Sequence, residues 1–183
     1  MRALILSDIH ANLEALNAVL AAAGEWDVLW NLGDMVGYGG SPNEVVNRIR
    51  PLATLTVRGN HDRVCSGLSS SLAFNPTARA AAKWTLEMLT PENLIWLRSL
   101  PQGPLQPAQW TPDEPLVTLA HGSPLNEDQY IMTMRDAWAP LQQMTTAITF
   151  VGHTHVQGGF SQKPMPAGTD RGDFLVKPLF AVG

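Results

Sequence analysis

The chain has 183 residues, 45% hydrophobic and 15% charged, with a formal net charge of −4. That length suits one domain, residues 1–183, with a sizeable core; the charge, with no Lys/Arg cluster, excludes a binder of long nucleic acid, which needs a basic surface. One cysteine, Cys65, excludes an internal disulfide framework, and the apolar run in "MRALILSDIH" is too short for a signal peptide or a membrane span, so a cytoplasmic location is expected.

In chain order, residues 3–7 ("ALILS") read as a buried strand. In "ANLEALNAVLAAAG", Leu13, Leu16, Leu20 and Ala23 fall at helical spacing, with Asn12 as N-cap and Gly24 as a stop. "DVLWNLG" reads as a second strand, and "SPNEVVNRIR" as a short helix capped by Ser41 with Pro42 at its first position. "ATLTVRG" reads as a third strand. Alternating strands and helices predict βαβ units and a largely parallel sheet. "NPTARAAAKWTLEML" and "PENLIWLRSL" predict two helices, one capped near Asn75 and one begun by Pro91. Five prolines between Pro101 and Pro115 mark a loop. "PLVTLAHG" and "AITFVGH" predict two more strands, separated by a helix over Met134–Gln143 that Pro140 breaks. The tail reads as a strand, a loop and a last strand.

The strand-like runs end in metal-ligand residue types. They lead into Asp8 and His10, into Asp34, into Asn60, His61 and Asp62, into His121, and into His153 and His155. Open α/β sheets form their sites beyond the carboxyl ends of strands. Asp-x-His and His-x-His would each point two side chains the same way on an extended segment. Glycines before Asp34, Asn60 and His153 would let the backbone turn. Singly, each string has an ordinary reading, since Gly-Asp is a common turn pair and His-x-His can be a surface patch. Jointly, all five histidines fall in these strings and each string follows a strand. The donors are oxygen and imidazole nitrogen, a set that suits manganese, iron, zinc or nickel.

The strings "SDIHAN", "NLGDMVGYG", "RGNHD", "AHGS" and "GHTH", in that order, resemble the calcineurin-like metallophosphoesterase superfamily. The text around "SDIHANLEAL" and "GDMVGYGGSPNE" is most similar to its small bacterial and archaeal phosphodiesterase-like branch, over about Met1 to Val156. The resemblance implies a four-layer α/β/β/α sandwich with mixed sheets. It implies two divalent transition-metal ions, manganese foremost, bridged by Asp34. Asp8, His10 and His155 would complete one site, and Asn60, His121 and His153 the other. His61 would contact the phosphoryl group or protonate the leaving group, with Asp62 orienting it. Two cations roughly 3.5–4 Å apart neutralise an anionic phosphodiester, generate hydroxide and support in-line attack. The N-terminus of the helix begun near Asn12 would favour anions further.

The expected activity is therefore a phosphodiesterase acting on a small-molecule or nucleotidic phosphoester. A phosphomonoesterase is a second reading, although "GDMVGYGG" lacks the Gly-Asp-x-Val-Asp-Arg-Gly string of protein phosphatases. A binding or scaffolding protein is a third, opposed by the unsubstituted ligand positions. Relatives of this branch continue past "LFAVG" into a further turn and strands, so the fold reads as shortened at its C-terminus. An uncovered sheet edge there would suit a homodimer. The six tryptophans read as packing residues, with base stacking a lesser use for Trp110 or Trp138. Arg58 and Arg63 would reach substrate phosphate or solvent, Cys65 would be buried, and Tyr38 would line the pocket mouth. Residues 64–115 and 124–145 would set specificity.

Overall fold

The computed structural model describes residues 1–109, 111–164 and 174–179. In chain order its elements are β1 (Ala3–Leu6), α1 (Leu13–Ala22), β2 (Val28–Asn31), α2 (Pro42–Ile49), β3 (Ala53–Thr56), α3 (Asn60–Cys65), α4 (Pro76–Met88), α5 (Pro91–Ser99), β4 (Val117–Leu119), α6 (Met134–Gln143), β5 (Ile148–Phe150), β6 (Gly159–Pro164) and β7 (Phe174–Leu179). The first three strands form a parallel sheet in the order β1-β2-β3, with Ile5 facing Trp30 and Trp30 facing Leu55 across the ladder. β4 and β5 form a second parallel pair, and β6 and β7 an antiparallel hairpin. Parallel neighbours need a crossover between them, which α1 and α2 supply.

β2 lies at the centre of its sheet and is buried along its whole length. A strand covered on both faces shows no polar alternation, as "VLW" does not. On one face Ala3, Ile5, Val28, Trp30 and Leu55 meet Val117, Leu119 and Phe150, so the two parallel sheets pack against each other. On the other face Leu6 and Ala53 pack with Leu16, Val45, Val46, Ile49 and Leu97 of the helices. α6 lies against the β6–β7 hairpin. This mixed α/β architecture with parallel sheets is the expected class of fold.

Several helix starts follow from capping. Asn12 accepts from the Ala15 N–H at 3.0 Å, Asn75 from Ala78 at 2.9 Å and Thr90 from Asn93 at 3.3 Å. Proline occupies the start of α2, α4 and α5, where its missing N–H costs nothing. Ser41 precedes α2 but makes no side-chain cap bond.

One expectation needs correction, one element was not foreseen, and the proline-rich segment is a loop as expected. α3 directly follows the third strand run; six residues are too few to carry an apolar stripe, so periodicity does not reveal it. α6 is not broken at Pro140 but runs through it to Gln143. Thr133 and Asp136 cap its start reciprocally, and Met144 N–H closes its end on the Pro140 carbonyl at 2.9 Å. The proline-rich loop is anchored partway along, where Leu105 and Leu119 exchange two backbone bonds of 2.8 Å. Trp110 and the expected tail loop lie outside the described residues. Among the described residues no helix is long and apolar enough to cross a membrane.

Candidate metal centre

The loops beyond the strands continue the ladder of the sheet. Asp8 N–H bonds the Gly33 carbonyl at 3.0 Å, His10 that of Asp34 at 2.9 Å and Ala11 that of Met35 at 2.7 Å. Gly152 N–H bonds the His121 carbonyl at 2.7 Å, and His153 N–H bonds the Asp8 carboxylate at 3.0 Å. Four separate strings are thereby drawn to one place beside the strands' carboxyl ends, and the fifth joins them where the His61 backbone N–H bonds Asp34 Oδ1 at 2.8 Å.

The local backbone is not extended as the two-residue spacing suggested. Asp8 and His10 have φ of 53° and 49°, His153 and His155 of 67° and 53°, and Asp34 of 54°. Left-handed backbone costs L-residues roughly 1–2 kcal/mol each. Asp and His are among the types that tolerate it best. Of the three preceding glycines only Gly33 needs a positive φ, at 100°. Gly59 and Gly152 are required for space instead. A Cβ on Gly59 would land on the Asp34 carboxylate, and one on Gly152 would strike Ser7 Oγ and come within 2.7 Å of Asp8 Oδ2.

Two donor groups result. Asp8, His10 and His155 form one, with His155 Nε2 at 3.3 Å from Asp8 Oδ1 and 3.0 Å from His10 Nε2. Asp34, His121 and His153 form the other, joined by Asn60, whose Oδ1 lies 2.9 Å from His121 Nε2. Asp34 Oδ2 stands between them, 3.7 Å from His10 Nε2 and 3.3 Å from His121 Nε2. His10, Asp34, Asn60, His121 and His153 are buried, Asp8 is half-buried and His155 is exposed.

Backbone carbonyls orient three of the imidazoles. His10 Nδ1 meets Val36 O at 3.2 Å, His121 Nδ1 meets Leu32 O at 2.9 Å and His153 Nε2 meets Asp128 O at 3.3 Å. A proton held on each of these nitrogens leaves a lone pair on the other. The His10 lone pair then faces that of His155 beside the Asp8 carboxylate. The His121 lone pair faces the oxygens of Asn60 and Asp34. Convergent acceptors of this kind repel unless a proton or a cation lies among them, and oxygen with imidazole nitrogen is a donor set for divalent transition metals. The residues fit the ions that the sequence implies. Without an ion, a proton takes that role. Against burial, the hydrogen bond and charge of Asp34 push the His121 pKa up, and the same pairing holds Asp34 down.

Asp62 is fully buried and does not face the donors. Its carboxylate accepts from four backbone N–H groups, Asp34 at 2.8 Å, Met35 at 2.9 Å, Gly59 at 3.0 Å and Val36 at 3.3 Å. It therefore ties the Asp34 turn to the start of α3, an orienting task rather than a chemical one. His61 comes within ligand range of His10 and Asp34. Its own N–H binds Asp34 Oδ1 at 2.8 Å, and its Nδ1 is buried against Gly37 with no hydrogen-bond partner among the described residues. Burial, opposed by the Asp34 carboxylate and aided by neighbouring imidazoles, pushes the His61 pKa down to about 4. Its ring is thus neutral near pH 7 and offers an N–H without a full charge.

Residues around the centre refine the sequence reading. Tyr38 packs on His61 and His10 with ring centroids 4.6 and 4.9 Å apart, and Phe74 packs on His61 at 4.5 Å. Tyr130 stacks on His153 at 3.9 Å with the rings 15° apart. Arg58 and Arg63 do not await a phosphate. Arg63 pairs with Glu127 and with Asp128 at 2.8 Å, and Arg58 with Glu127 at 3.3 Å, fastening residues 127–128 to α3. Tyr130, Glu127 and Asp128 escaped the sequence reading because they stand in a stretch without periodicity or motif. Of the tryptophans, Trp30 is core, Trp84 and Trp138 are exposed, and Trp96 lies under Arg50. Cys65 is buried as expected.

A sandwich of parallel sheets whose strand ends gather carboxylate, amide and imidazole donors into two adjoining groups defines a metal-binding α/β protein. The family model described as calcineurin-like phosphoesterase matches residues 1–157, and the chain belongs to that family. A metallophosphoesterase from Sphaerobacter thermophilus, known from its crystal structure, is 44% identical with a TM-score of 0.73, over 88% of this chain and 63% of that one. An uncharacterized protein of Methanocaldococcus jannaschii is 48% identical over 99 residues, 53% of this chain and 41% of its own length. A hypothetical protein from Pyrococcus horikoshii shares the fold, with a TM-score of 0.65 at 21% identity, over 82% of this chain and 68% of that one. The chain thus spans less than two thirds of the first two relatives.

Proposed function

We propose that this protein is a metal-dependent phosphoester hydrolase that favours phosphodiesters and uses two divalent cations. The observation that carries the reading is Asp34 Oδ2, placed between His10 Nε2 at 3.7 Å and His121 Nε2 at 3.3 Å, so that one carboxylate serves two donor groups. Asp8, His10 and His155 would hold one ion, Asn60, His121 and His153 the other, with Asp34 shared. Bound there, the ions would supply charge neutralisation for the phosphoryl oxygens and acidify water near neutral pH. Manganese suits these donors. The chain's own groups do the rest. The carbonyls of Val36, Leu32 and Asp128 fix the tautomers of His10, His121 and His153. Asp62 holds the turn that carries Asp34. His61, neutral and buried beside Asp34, offers its N–H to an oxygen on which charge grows, and so stabilises the departing group. A small or nucleotidic substrate and a cytoplasmic location belong to the same reading.

The test is metal analysis of the purified chain after loading with Mn, together with turnover of bis-p-nitrophenyl phosphate and p-nitrophenyl phosphate. Two ions per chain and faster turnover of the diester are expected. Asp34→Ala should lose both ions and the activity. A chain that takes up no Mn, or that binds it and cleaves neither ester, would overturn the proposal.

A further inference from the structure

We propose that Arg63 is a positioning residue for one ion of the pair: its grip on Glu127 and Asp128 holds the Asp128 carbonyl against His153, and so sets how tightly Asn60, His121 and His153 keep their cation. The inference rests on the two-cation reading above and adds to it a reason for the two ions to differ in affinity.

Residues 123–129 lie between β4 and α6, outside any helix or strand. They meet the ligands of one ion only. His153 Nε2 lies 3.3 Å from the Asp128 carbonyl. His121 is followed by Gly122, where a Cβ would strike the Glu127 carbonyl and come within 2.9 Å of that of Gln129, so the segment lies close against the strand end. Asn60 opens α3, one turn before Arg63. The other ion's ligands have different supports. His10 Nδ1 meets the Val36 carbonyl at 3.2 Å, and Asp8 N–H that of Gly33 at 3.0 Å.

The segment's own bonds are local. Asn126 N–H reaches the Ser123 carbonyl at 3.0 Å, Gln129 N–H that of Asn126 at 3.0 Å and Ser123 N–H that of Gln129 at 2.9 Å. They shape the loop without tying it to α3, and Arg63 supplies the tie. Its guanidinium donates to both Asp128 oxygens at 2.8 and 3.0 Å, contacts Glu127, and donates from Nε to Ser69 Oγ at 3.0 Å. A bidentate fork fixes orientation as well as distance. The Arg63 and Glu127 side chains are 19% and 9% exposed, so solvent screens their pair weakly. Arg58 holds Glu127 at 3.3 Å, one residue short of the carbonyl that meets His153. Loss of Arg63 therefore leaves Glu127 paired and Asp128 released. A ligating imidazole whose outer nitrogen loses its partner turns more freely and binds metal about 10–100-fold less well. Arg63 stands one step behind that partner, so the lower end, about tenfold, applies to one ion and nothing to the other.

Titration of the metal-free chain with Mn, followed by calorimetry and electron paramagnetic resonance, reads both affinities and the spin coupling of a carboxylate-bridged pair. Arg63→Met, which keeps a long stem without the fork, should weaken one Mn about tenfold and leave the other unchanged. It should show uncoupled Mn at concentrations where the unmodified chain shows the coupled pair. Asp128 is an exposed side chain, so Asp128→Asn tests the same link without risk to the fold. It should weaken the same ion, and the double variant should be no weaker than Arg63→Met, because both break one link. Arg50→Ala, which breaks an exposed pair with Glu92 at the end of α2, should change neither affinity. Two unchanged affinities in Arg63→Met would overturn the brace, as would equal weakening of both ions or additive losses in the double variant. A chain that takes up no second Mn overturns the brace together with the two-cation reading. The hydrolase reading fails separately when the affinities split as expected and neither ester is cleaved.

Discussion

Asp62 offers the sharpest test of how this centre is built. Its carboxylate receives four backbone N–H groups at 2.8–3.3 Å in a fully buried position. Burial, and then the neighbouring Asp34 charge, push its pKa up to about 7, while those N–H bonds favour the ionised form. The substitution Asp62→Asn separates the two effects. It keeps the shape, removes the charge, and turns an amide NH2 toward two N–H groups that had faced oxygen. Two buried donors left without acceptors cost about 1–3 kcal/mol each, so about 4 kcal/mol in sum. For a chain of this size 1 kcal/mol moves Tm by about 2–4 °C, which predicts a fall of about 8–16 °C. Thermal unfolding followed by circular dichroism at pH 8 with chelator reads that fall without any contribution from metal. A Tm within about 2 °C of the unmodified chain would refute the reasoning and show that the fold uses the neutral acid, to which asparagine is the closer mimic.

Other expectations follow from neighbouring features. His61→Ala should keep the full metal content but lose about 100-fold or more in kcat, as removal of a hydrogen-bond donor aimed at developing charge does; undiminished turnover would sink that role. Gly59→Ala should lower metal content and activity together, because a Cβ there lands on the Asp34 carboxylate although φ of −90° suits alanine; normal metal analysis would refute the crowding argument. Burial, followed by the Asp62 and Asp34 charges, pushes the Cys65 thiol up to about 12 from an ordinary 9.0. The folded chain should therefore resist iodoacetamide at pH 8.5 and react once unfolded. Stability should also fall as pH rises from about 9 toward 12, since the unfolded state then releases a proton that the folded state keeps.

Much of this architecture is legible in the sequence for local reasons. Asn12, Asn75 and Pro91 announce helix starts through chemistry that involves only the next few residues, and "VLW" announces a strand covered on both sides. The ligand strings are legible because imidazoles and carboxylates cluster after apolar runs. What escapes is long-range or conformational. Arg63 reaches Glu127 and Asp128 across more than sixty positions, and Tyr130 finds His153 across a helix and a strand. No local pattern encodes such a meeting. The spacing of Asp8 and His10 suggested an extended segment, whereas the pull of the β2 loop sets both residues left-handed. Asp62 sits in the string most suggestive of chemistry, but its oxygens are turned toward backbone amides, which the identity of its neighbours does not foretell.

The left-handed backbone at Asp8, His10, Asp34, His153 and His155 also limits how this sequence can drift. Besides glycine, the residues that tolerate this conformation best are asparagine, aspartate and histidine. These are also residues that bind metals through oxygen or imidazole. Backbone and metal therefore exert the same selection at these five positions. A descendant that lost its ions would still be held to nearly the same letters by its loops, and exchange of Asp8 for asparagine would preserve shape while discarding charge. The backbone alone can thus keep the appearance of a metal motif in a lineage that has stopped using it. In relatives, the letters without such a backbone constraint, Asn60 and His121, are the more informative witnesses of a working centre.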